Sequence, residues 1–161
     1  MIRVLGPCVR VLLLVAAVLL PSAWPEGLAR PDLVLLVVAA AGLLHRPQVG
    51  LLMGLAGGWL VDLVPPGAEP LGASALSYAA VGLCLGWVRR ALVVSPLLPW
   101  VATAAAAAVV LGVRGVSAAA GVGRALLAEL AWTWVVTMVL AVIVLPVLMS
   151  LERWMTRRGW A

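Results

Sequence analysis

Between Gly50 and Arg90 the chain reads GLLMGLAGGWLVDLVPPGAEPLGASALSYAAVGLCLGWVRR. Two apolar runs of helical length flank a short elbow that holds three prolines. Proline cannot continue a helix interior, so the chain must reverse there. The first run carries glycines at four-residue spacing and ends on a carboxylate, Asp62. The second opens after Leu71-Gly72, carries its own glycine pair, and stops at Arg89-Arg90. Neither run has enough polar surface to face water. A helical hairpin in a membrane, with a polar point at its tip, is the fold this segment permits.

The rest of the chain agrees. Of its 161 residues, 65% are hydrophobic and 11% charged, whereas about half apolar is usual for a soluble domain. The net charge of +5 would suggest nucleic acid in a soluble protein. Here the arginines stand at the ends of apolar runs, where a membrane surface is the natural counterpart, and no nucleic-acid partner is expected.

Six apolar segments can be drawn, at about 4–23, 32–44, 47–64, 71–88, 91–113 and 125–151. Together they predict an all-α, single-domain, multi-pass membrane protein. With the N-terminus in the cytoplasm, Arg3, Arg10, Arg46, Arg89, Arg90, Arg153, Arg157 and Arg158 fall inside, and Arg30, Arg114 and Arg124 outside. That bias obeys the positive-inside rule and places both termini in the cytoplasm. The second segment is short, only ~20 Å of helix against a hydrocarbon core of ~30 Å. The turn His45-Arg46-Pro47-Gln48 favours a short crossing, because these polar groups need the surface. The sixth, at ~40 Å, must tilt or protrude. The first resembles a signal peptide but lacks a clean small-residue cleavage site, so an uncleaved helix is expected.

Few residues carry chemistry. Gly50, Gly54 and Gly58, with Gly57 beside them, share one helix face, and Gly82 and Gly86 repeat the device. Such ladders admit close helix approach, either inside the bundle or against a partner helix. Asp62 is a candidate ligand for a cation or substrate, but a brace for backbone amides near Gly72 is the favoured reading. Tyr78 is expected as an interface anchor or a partner of Asp62. Glu129, near Arg124 and two tryptophans, reads equally as an interfacial ion pair or as a polar cavity lining. His45 reads as an interfacial residue, and Cys8 and Cys84 as unpaired apolar positions. No nucleophile elbow, HExxH pair or phosphate loop is present, so no catalytic, cofactor or metal residue is assigned.

The order G-x3-G-x2-GG-x3-D-L, a short loop, then P-L-G-A-S-A-L-S-Y-x3-G-x3-G resembles MreD, the rod-shape-determining membrane protein of bacteria. The residues that carry it are Gly50, Gly54, Gly57, Asp62, Leu63, Leu71, Gly72, Ala75, Leu76, Tyr78, Gly82 and Gly86. The motif covers about a quarter of the chain, while the terminal thirds match only in hydropathy. The resemblance implies a six-span fold similar to the substrate-binding subunits of energy-coupling-factor vitamin transporters. It also implies a non-enzymatic scaffold of the cell-elongation machinery in the cytoplasmic membrane. Its expected partners are MreC and, through MreC, the glycosyltransferase RodA, a class B penicillin-binding transpeptidase and MreB, together with membrane lipid. The rival is a vitamin-binding transporter subunit with a pocket near Asp62, Tyr78 and Glu129. Such a pocket needs several convergent polar groups, and few stand near that end of the chain.

Overall fold

The computed structural model describes residues 5–23, 29–64, 72–90, 95, 97–121 and 126–158. These form six α-helices and no strand: α1 (Leu5–Ser22), α2 (Leu33–Leu44), α3 (Pro47–Leu63), α4 (Ala73–Val88), α5 (Leu98–Ala119) and α6 (Leu127–Arg157). The elbow prolines and Leu71 lie outside the described residues, as do Arg3 and Arg124. Helices α5 and α6 are long and apolar enough to cross a membrane.

The short second segment becomes the centre of the molecule. Helix α2 packs against all five others, and its residues from Val34 to Gly42 and Leu43 are buried. A helix that is apolar all round is stable only when it is surrounded. Here the surround is protein, so the length of α2 need not match a bilayer. Its ends are well terminated. Asp32 Oδ1 accepts from the Leu35 amide at 3.0 Å, and the His45 amide returns to the Ala41 carbonyl at 2.9 Å.

Two boundaries differ from the sequence expectation. Helix α5 starts at Leu98, with Pro99 in its first turn, and runs through Arg114 to Ala119 rather than stopping at Val113. The charge does not end the helix because its guanidinium finds partners inside the bundle, described below. Helix α6 extends to Arg157, 31 residues in all, which is ~46 Å of rise.

The tightest contact is the α3–α4 hairpin. A Cβ built on Gly50 would lie 2.1 Å from the Gly82 carbonyl oxygen, and one on Gly82 would lie 2.1 Å from that of Gly50. Gly54 meets the Tyr78 carbonyl at 2.1 Å, Gly58 the Ala75 Cα at 2.5 Å, and Gly86 the Pro47 Cα at 2.4 Å. Both ladders are therefore spent on each other. Of the two readings of Gly50, Gly54, Gly58, Gly82 and Gly86, packing inside the bundle is the one these contacts fill, and Gly42 of α2 joins the same seam, 3.1 Å from the Cβ built on Gly50. Gly57 points elsewhere, toward the side chains of Val34 and Leu14.

Candidate functional site

Three polar groups interrupt this apolar bundle. The first caps the hairpin. Asp62, in the last turn of α3, accepts from the amides of Gly72 at 3.0 Å and Ala75 at 3.2 Å through Oδ2. Those amides open α4, where the first turn has no helical acceptor of its own. Gly72 sits at φ +97°, a left-handed conformation that glycine adopts without a Cβ clash. The carboxylate thus bridges the elbow and charges the N-terminus of α4 favourably.

The second group gathers at the N-terminus of α2. Asp32 caps that helix, and its second oxygen accepts from the Tyr78 hydroxyl. Arg114 Nη2 donates to the Tyr78 oxygen at 2.9 Å and lies 4.0 Å from Asp32 Oδ2. The Asp32 amide donates to Thr137 Oγ1 at 3.0 Å. Helices α2, α4, α5 and α6 are tied at one point. Tyr78 is fully buried, so it is neither an interface anchor nor the partner of Asp62. Its carboxylate partner is Asp32.

The third group lies at the opposite end of α2. Glu152 on α6 is buried and accepts from Arg10 Nε at 3.0 Å and Arg10 Nη2 at 2.9 Å. His45 Nε2 lies 2.7 Å from Glu152 Oε2 and 2.9 Å from Arg10 Nη2. Arginine only donates and a carboxylate only accepts, so an Nε2–H aimed at Glu152 satisfies the imidazole. The same carboxylate satisfies the arginine. His45 is thus a structural link, not a solvated interfacial residue.

Glu129 stands apart, exposed in the first turn of α6. A groove of about 480 Å³ lies between α5 and α6, lined by Leu111, Gly115, Val116, Leu130 and Trp134 among others. Glu129 is not among the residues that line that groove. Among the described residues, every buried side-chain nitrogen or oxygen has a partner. No cluster of three or more His, Cys, Asp or Glu among them is placed to share a metal ion.

Sequence reasoning located Asp62 but missed the two inner clusters. The signal was available. Arg10, Asp32, Arg114 and Glu152 each fall within or at the edge of an apolar run, and charges there pair with one another.

No family model, curated protein or solved structure matches this chain. The polar groups are engaged with each other or with backbone amides. What the arrangement does chemically is hold helices in register.

Proposed function

We propose that this protein is a non-enzymatic, multi-pass scaffold subunit of the bacterial cell-elongation machinery, of the MreD type. It sits in the cytoplasmic membrane with both termini inside, and it acts by binding MreC. Through MreC it joins RodA, its transpeptidase and MreB to regulate peptidoglycan synthesis and cell shape. The observation that carries this reading is the ordered set of residues in the α3–α4 hairpin, from Gly50 through Asp62 and Tyr78 to Gly86.

Three features support it. Large apolar side chains are exposed on every helix except α2, a perimeter suited to lipid. The polar clusters lie inside the bundle and link helices, as a scaffold requires. The α5–α6 groove has an apolar lining, without the convergent polar groups that vitamin recognition needs there. With the glycine ladders closed, contact with MreC falls to the outward stripe of Leu52, Leu55, Trp59 and Leu63, all exposed on α3.

Affinity purification of the tagged protein from its native membranes tests this directly. MreC should co-purify, and Leu55→Ala/Trp59→Ala should weaken its recovery while leaving the protein folded. A folded preparation that brings down no shape or wall-synthesis protein would refute the scaffold reading.

A further inference from the structure

Arginines that are distant in sequence converge at one end of the bundle. Two contacts bring them there. The built Cβ of Gly86 lies against Pro47, which brings the C-terminal end of α4, with Arg89-Arg90, to the end of the bundle that holds Arg46. The His45–Glu152 bond brings the C-terminal turns of α6, with Arg153, Arg157 and Arg158, to the same end. Five of these six side chains are exposed and Arg89 is half-buried. Among the described residues, the carboxylate at this end is Glu152, which is buried against Arg10 and His45. Asp32, Asp62 and Glu129 belong to the other end, at the start of α2, the end of α3 and the start of α6.

An apolar and aromatic rim adjoins these cations. Trp87 and Trp154 are 64% and 42% exposed and stand within a turn of them, with exposed Val88 beside Trp87. The Arg158 guanidinium stacks on the Trp154 ring, 4.4 Å from its centroid. Tryptophan rings favour the head-group level of a bilayer, which is also the level of the lipid phosphates. An acidic protein would match the charge but not the apolar rim beside it. We propose that this end is a binding surface for anionic phospholipid head groups, with the arginines on lipid phosphates and the tryptophans in the interface. Each basic side chain near an anionic surface adds an increment of affinity, and arginine pairs with phosphate in bidentate geometry. The proposal rests on the membrane reading above but not on the identity of the protein partner.

The test uses the full-length protein in mild detergent, with thermal unfolding followed as lipid is added. Phosphatidylglycerol should raise the midpoint by about 5 °C over the same amount of phosphatidylcholine. About 1 M salt, where the screening length falls to ~3 Å, should remove the difference. Arg89→Gln/Arg90→Gln and Arg157→Gln/Arg158→Gln should each reduce it, and Arg30→Gln, exposed at the opposite end, should not. Equal stabilisation by both lipids, or an unchanged preference in both double variants, overturns the proposal. If inorganic phosphate alone reproduces the shift, the surface binds a free anion and the lipid assignment fails. Insertion into phosphatidylcholine vesicles is measured separately by resistance to alkaline extraction. Protein that inserts without lipid preference refutes this inference and leaves the membrane reading intact. Protein that does not insert refutes both.

Discussion

A single methyl group on Gly54 should open the α3–α4 hairpin. The added Cβ would stand 2.1 Å from the Tyr78 carbonyl oxygen and 2.8 Å from the Ala79 Cα. Carbon–oxygen contacts settle near ~3.4 Å, so the two backbones must part by more than ~1 Å. Both opposing atoms belong to helical backbone, which cannot turn aside as a side chain can. A gap of that size forfeits roughly a quarter to a half of each dispersion contact along the seam. It also stretches the bonds from Gly72 and Ala75 to Asp62. Overpacking of this kind costs about 3 kcal/mol, and a chain of this size loses about 2–4 °C per kcal/mol. Gly54→Ala should therefore melt some 6–12 °C below the parent in detergent, by these magnitudes. Gly112 is the internal control. Nothing lies within 4 Å of its built Cβ, and alanine is favoured over glycine in a helix by ~0.5–1 kcal/mol. Gly112→Ala should be neutral or slightly stabilising. Gly57→Ala should fall between the two, since its obstacles are the side-chain ends of Val34 and Leu14. If Gly54→Ala and Gly112→Ala shift the midpoint alike, close backbone approach is not what holds the hairpin.

The polar groups give three more expectations. Asp62→Ala leaves the Gly72 and Ala75 amides without their acceptor and should cost ~1–2 kcal/mol, whereas Asp62→Asn keeps a capping oxygen and should stay near the parent. Equal losses in the two variants would mean that the charge, rather than the hydrogen bonds, is needed. Glu152→Met strands the buried Arg10 and should cost ~3–5 kcal/mol, while Arg10→Met/Glu152→Met should recover much of that loss. A double variant that is as unstable as the sum of the singles would contradict a direct pair. Tyr78→Phe removes both the donor to Asp32 and the acceptor for Arg114, and a loss of ~1–3 kcal/mol is expected. A neutral Tyr78→Phe, read by the same thermal measurement, would show that Asp32 and Arg114 hold together without the hydroxyl.

Much of the architecture was legible one-dimensionally because helices declare themselves locally. Apolar runs, arginine stops and prolines at run boundaries depend only on near neighbours in the chain. They set the six helices to within a few residues, apart from α5 and the extension of α6. Asp62 was readable for the same reason, since the amides it serves lie ten and thirteen residues away across one tight turn. What the chain alone left open was every choice that depends on which helices become neighbours. A ladder of glycines states that some backbone will come close, but not whether it belongs to the same protein. Tertiary contact assigned α4 to α3 and closed both ladders. Likewise, the run at 33–44 is apolar on all sides, and only packing surrounded it with protein rather than lipid. Charges inside apolar runs must be paired, because an isolated ion in a low-dielectric interior is costly. Arg10 meets Glu152 across 142 residues and Tyr78 meets Asp32 across 46, separations at which local sequence carries no geometric information. Sequence determined that these groups needed partners, and the fold decided which partners they have.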